Sequence, residues 1–133
     1  MTQRKISNTL LKIKACQKAG CNVEALLTNY HLNLDIIRFI LINTNKTYAF
    51  ENKKLKVIIR DFYNEISVNE NLKALINKRS FKLVKTWLEK MDLFFKNLKL
   101  STPPNTKALF AESEKIFLVL NISANKLLVR NKA

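Results

Sequence analysis

Asp61 and Glu65 stand four residues apart, so on a helix they share a face where two carboxylates could hold Mg2+ or divide into acid and base. Lys53, Lys54, Lys56 and Arg60 crowd the same stretch, which makes ion pairing the stronger use of both carboxylates. Cys16, Cys21 and His31 offer three candidate metal ligands, whereas a structural zinc site needs four, usually as two pairs. The cysteines therefore read as reduced side chains packed like small hydrophobes, and His31 as a polar residue at a helix–helix turn. No Gly-rich phosphate loop, G-x-S-x-G or H-E-x-x-H is present to supply a nucleophile or a metal. The expectation is no catalytic residue, no metal, no cofactor and no enzyme.

What remains is charge. The 133 residues carry 24 Lys+Arg against 10 Asp+Glu, a net charge of +14. Lys, Asn and Ile belong to AT-rich codons, so the basicity has a compositional reading beside a functional one. A pI near 10.0 attracts polyanions in either case. The charge is uneven. Residues 1–20 hold five basic and no acidic side chains, residues 21–70 hold six of each, and residues 71–107 hold nine basic against two acidic. In the last of these, Lys78, Lys82, Lys85, Lys96 and Lys99 recur near helical spacing, with Arg79 at the start. Such a row is either a solvated face or a phosphate-contact surface, where lysine acts as a point charge without reading bases. Glu89 and Asp92 interrupt it and can pair with Lys85 and Lys96 at i±4, each pair worth ~0.3–0.5 kcal/mol. A stacking platform for single strands needs exposed aromatics amid the lysines. Nearly all the aromatics fall in core phase, with Tyr30, Tyr48 and Tyr63 the candidate exceptions.

The elements that must carry these residues are helical. One Gly and two Pro are too few for the turns of a sandwich or barrel, and 47% hydrophobic residues exclude a disordered chain. A first helix is expected from Ser7 as N-cap to Ala19, with Gly20 as its left-handed C′ residue. Asn22 caps a short second helix, and Asn33 caps a third over residues 34–42, apolar nearly all round and hence central. Thr47 opens a fourth to about Ile66, with Phe50, Leu55, Ile58, Ile59, Phe62 and Ile66 on one face. Ser67-Val68-Asn69-Glu70 has the pattern of a capping box for a fifth. From Ser80, the residues Phe81, Val84, Leu88, Met91, Phe95 and Leu98 fall at 3-4-3-4-3 spacing, widened by Leu83, Trp87 and Phe94. Pro103-Pro104 breaks the chain before a helix carrying Leu109, Phe110, Ile116, Phe117, Val119 and Leu120, and residues 123–133 add a turn or fray. The sum is an all-α fold, a single bundle of six to eight helices in one domain over 1–133, with a long amphipathic helix at about 80–99.

Residues 23–41 resemble a helix-turn-helix in spacing, with Leu26, Tyr30, Leu32, Ile37 and Ile40 at its hydrophobic positions. Leu27 stands where that motif has Ala and His31 where its turn has Gly. Its reading helix would expose Leu34, Ile36 and Phe39 in place of polar residues, so the pattern describes helix packing. Residues 10–66 are also similar to the five-helix domain at the N-terminus of transcription elongation factor S. The likeness rests on Leu11-Lys12-Ile13, the Leu32–Ile40 helix, Asn52-Lys53-Lys54-Leu55 and Ile59-Arg60-Asp61-Phe62-Tyr63. The resemblance implies binding of short disordered motifs of partner proteins. The family's Gly-containing turn is missing, and Phe62 or Tyr63 replaces its Trp.

The most apolar window, residues 34–42, is interrupted by Asp35 and Arg38 and falls far short of the ~20 residues that cross a bilayer. No transmembrane segment is expected, and reduced cysteines fit an intracellular protein, cytoplasmic or nuclear. Mitochondrial import stays open because residues 1–20 are basic and acid-free. The functional expectation is sequence-independent nucleic-acid contact through phosphates, within a transcription or ribonucleoprotein assembly. Its residues would be Lys78, Arg79, Lys82, Lys85, Lys96 and Lys99. The alternative is a protein–protein adaptor whose charge is compositional.

Overall fold

The computed structural model describes residues 3–44, 55–68, 70–97 and 106–132. All regular structure among them is helical: α1 (Gln3–Lys18), α2 (Asn22–Thr44), α3 (Leu55–Val68), α4 (Glu70–Leu75), α5 (Lys78–Asn97) and α6 (Thr106–Lys132). Five of these are full helices of 14 to 27 residues, and α4 is a six-residue piece. The count of full helices is thus lower than the six to eight expected, for reasons visible in two elements.

The first is α2. Residues 22–44 form one unbroken 23-residue helix where two helices and a turn were expected. Leu32 and Asn33 are 3% and 0% exposed, so the supposed turn is core. Asn33 caps nothing. Its amide donates to Asn29 Oδ1 at 3.0 Å, one turn back, and to the Ser113 carbonyl of α6 at 3.2 Å. With its N–H groups committed to Asn29 and to α6, the side chain does not cap its own backbone, and its Oδ1 is buried without a partner among the described residues. The continuity also removes the helix-turn-helix: Leu34 and Ile36 are buried, and His31 lies exposed on the outer surface of α2. Within 10–66 the described residues hold three helices, not the five of the elongation-factor resemblance.

The second is α6, which runs on to Lys132. Phe110, Ser113, Ile116, Phe117, Leu120, Ser123, Ala124 and Leu127 keep one buried stripe at spacings of three and four. Ser123 interrupts the apolar pattern, but its hydroxyl donates to the Val119 carbonyl at 2.9 Å and is satisfied inside the helix. The helix therefore passes Ser123 without a break.

Helix α2 is central, packing against α1, α3 and α6, while α5 lies on α6. The buried residues of all these helices form one contiguous cluster. In α1, Ile6 and Ile13 face it, and the Gln3 side-chain amide donates to Asn125 Oδ1 at 2.9 Å near the end of α6. The helix begins at Gln3, not at Ser7, which is exposed within it. Gly20 ends it at φ 78, with the Cys21 N–H reaching the Cys16 carbonyl at 2.8 Å and the Gly20 N–H reaching the Gln17 carbonyl at 3.1 Å. That pair of bonds is a Schellman cap, and the left-handed backbone at its C′ position is where only glycine is unstrained.

Candidate functional site

Helix α5 buries Phe81, Val84, Trp87, Leu88, Met91 and Phe94, with Phe95 half-buried beside them. The seam phase is thus as the spacing implies, except that Leu83 is 54% exposed; Leu98 lies outside the described residues. The helix starts at Lys78, two residues before Ser80. Asn77 is the N-cap, its Oδ1 accepting the Ser80 N–H at 2.7 Å while its carbonyl accepts the Phe81 N–H at 3.0 Å. This shift matters because it places Lys78 and Arg79 on the helix. Ser67 likewise caps nothing: it sits in the last turn of α3, donating to the Tyr63 carbonyl at 3.0 Å.

Where α3, α4 and the start of α5 meet, a groove of about 750 Å3 opens. Helix α3 contributes Tyr63, Ile66 and Ser67, and α4 contributes Lys73. Ile76 and Asn77 come from the α4–α5 junction, and Lys78, Phe81, Lys82 and Lys85 from α5. Ile66, Ile76 and Phe81 are buried and form an apolar floor. No carboxylate lines the groove among the described residues. Lys73 is engaged by Glu70 at 3.5 Å, an exposed i,i+3 pair. Lys78, Lys82 and Lys85 have no ion-pair partner among the described residues. Glu89 in particular does not pair with Lys85.

The six expected phosphate-contact residues therefore separate. Lys78, Lys82 and Lys85 converge on the groove. Arg79 is exposed next to Lys78 but outside the lining. Lys96 lies about 16 Å of helical rise beyond Lys85 and is bound to Asp92 at 3.1 Å. Lys99 is outside the described residues, and no residue of α1 lines the groove.

The three candidate exposed aromatics separate too. Tyr30 is 5% exposed, its ring packed 4.9 Å from Phe95 and 5.7 Å from Trp87. Burial, reinforced by the Asp92 charge, pushes its phenol up to about 12, so it stays protonated and neutral at physiological pH. Tyr48 is outside the described residues. Tyr63 is 51% exposed, lines the groove, and rests against Phe81 with ring centroids 5.1 Å apart. The earlier chemistry-bearing residues show no such convergence. Cys16 is half-buried and Cys21 exposed, both free thiols, and Asp61 lies 3.8 Å from Arg60.

One polar cluster escaped the sequence reading altogether. The Trp87 indole N–H of α5 donates to Ser113 Oγ of α6 at 2.6 Å, while the Ser113 carbonyl takes the Asn33 amide of α2. Asn29, Asn33 and Ser113 are each at most 1% exposed, so three helices are joined through a buried polar node. The signal was the phase of Asn29, Asn33, Ile36 and Ile40 at 4-3-4 spacing, which puts both amides on the buried face.

The chain was compared with protein-family models, curated proteins and solved structures, and it matches none. No helix among the described residues is long and apolar enough to cross a membrane.

Proposed function

We propose that this chain is a non-enzymatic protein that contacts nucleic acid through its phosphates, without reading sequence, at the α3–α4–α5 groove. The observation that carries the reading is the convergence of Lys78, Lys82 and Lys85 on one groove that no carboxylate lines among the described residues. A lysine ammonium without an internal partner is free to exchange its counterions and water for a phosphate, and it holds that phosphate as a point charge. The contact set is smaller than the sequence suggested, with Arg79 and Lys96 outside it.

Each phosphate contact releases condensed counterions, so affinity falls with salt at a slope of about −0.9 per contact on duplex DNA and about −0.7 on single strands. Changing Lys82 and Lys85 together to Gln lowers that slope by roughly 1.4 to 1.8. Lys12→Gln with Lys18→Gln removes the same formal charge from α1 and serves as the matched control. Equal losses from both double variants would mean a diffuse field and would remove the site. A second reading, a protein adaptor, draws on the apolar floor of Ile66, Ile76 and Phe81. It forecasts tight binding of an acidic amphipathic peptide, with nucleic-acid binding lost by physiological salt.

A further inference from the structure

We infer that the groove takes single-stranded nucleic acid, with one base stacked on Tyr63 and the adjoining phosphates held by Lys78, Lys82 and Lys85. The inference rests on the phosphate-binding reading above and adds the base.

Among the described residues Tyr63 is the one exposed Phe, Tyr or Trp, at 51%, while Tyr30, Phe62, Trp87 and Phe94 are each at most 5% exposed. An aromatic ring half in water usually needs no explanation, but this one stands inside the lysine-rimmed groove. It is also held. Its ring packs on Phe81, itself 7% exposed, at 5.1 Å and an interplanar angle of 46°, so a base meets an oriented surface whose ordering cost is already met by folding. A stacking platform amid basic side chains is what distinguishes single-strand binders from proteins that touch only the backbone.

The geometry favours a strand over a duplex. Base faces in a duplex are already stacked and cannot reach a tyrosine in a groove, whereas a single strand turns a base outward at small cost. The three lysines rise along α5 by about 6 Å and then about 4.5 Å, so they follow a backbone instead of gathering on one phosphate. The volume of about 750 Å3 lies within the range of sites for single small ligands, enough for a nucleotide unit while the strand continues outside. Charge decides against an uncharged apolar guest, because among the described residues every ionisable side chain that lines the groove is a lysine or Tyr63 itself.

The test uses the full chain and three probes of similar length: an oligothymidine of about 12 nucleotides, an abasic strand with the same phosphates, and a DNA duplex. The oligothymidine is expected to bind roughly 5- to 100-fold more tightly than the abasic strand, the range that one stacked base supplies. Tyr63→Ala removes that advantage, leaves abasic binding alone and leaves the salt slope unchanged, since no charge is lost. Tyr63→Phe keeps the advantage, which separates stacking from a role of the hydroxyl. Equal affinity for the first two strands, or indifference to Tyr63→Ala, overturns the stacked base while phosphate binding survives. If no strand or duplex shows binding that depends on Lys82 and Lys85, but an acidic amphipathic peptide or a vesicle of anionic lipid does, nucleic-acid binding falls and this inference with it.

Discussion

The two halves of α5 carry the same residue type along the same stripe and end in opposite states. In the first half, Lys78, Lys82 and Lys85 face a groove that no carboxylate lines among the described residues. In the second, Lys96 is bound to Asp92 at 3.1 Å, and Lys90, on an adjacent face, to Glu112 of α6 at 2.6 Å. Burial does not divide them, since Val84 in the first half is as fully buried as Trp87, Leu88, Met91 and Phe94 in the second; what the second half adds is the bond from Trp87 to Ser113. The first half rests on the junction of α3 and α4, the second on a long neighbour that brings its own carboxylate. A row of lysines is thus no evidence of a binding face until the opposite element is known. Here the charge of the neighbour separates a solvated, paired face from an open one.

The contrast breaks most visibly in the anchored half. Leu88→Ala removes a side chain 2% exposed and leaves a cavity, so it should cost ~2–5 kcal/mol in a denaturant titration. An unchanged unfolding midpoint would show that the second half of α5 is not anchored. A smaller effect sharpens the same point. Ser113→Ala leaves the Trp87 N–H without its acceptor in a fully buried place, a loss of ~1–3 kcal/mol. The Ser113 backbone carbonyl survives the change and keeps its bond from Asn33, so the loss reports the indole contact. If Ser113→Ala proves as mild as Lys82→Gln, whose side chain is exposed, the indole bond does not help to hold the second half.

The seam of α5 was legible because core phase is a local property: Phe81, Val84, Leu88 and Met91 announce a face by spacing alone. The all-α class and the Gly20 cap follow equally from local chemistry. The helix boundaries were not legible wherever a polar residue had two uses. Asn33 and Ser67 look like N-caps, yet the first bonds across to α6 and the second back along α3. Asn77 gives no sign of capping until Ser80 N–H is seen on its side chain. The groove lay beyond local reading for a different reason. It is made by three elements, and its distinctive property, lysines with no carboxylate opposite, depends on what α3 and α4 bring to the same place. The lysines could be named from the sequence, but not which of them stay unpaired.

The smallest effect is the most direct test of the comparison. Lys90 and Lys96 are partly exposed and each holds a carboxylate, with side-chain exposures of 46% and 64%. Exchanging both for Gln removes two formal charges, as many as Lys82→Gln with Lys85→Gln. The stability cost should be small, ~0.2–1 kcal/mol for each exposed pair, and should shrink with added salt. On nucleic acid the two double variants should diverge. A lysine already neutralised by Asp92 or Glu112 makes no phosphate contact and displaces no condensed counterion from the nucleic acid, so its loss leaves the salt slope of binding nearly unchanged. The Lys82 and Lys85 variant loses more than one unit of slope. Equal slopes would mean that pairing does not decide which lysines meet phosphate, and the distinction between the two halves of α5 would then rest on the Trp87–Ser113 bond alone.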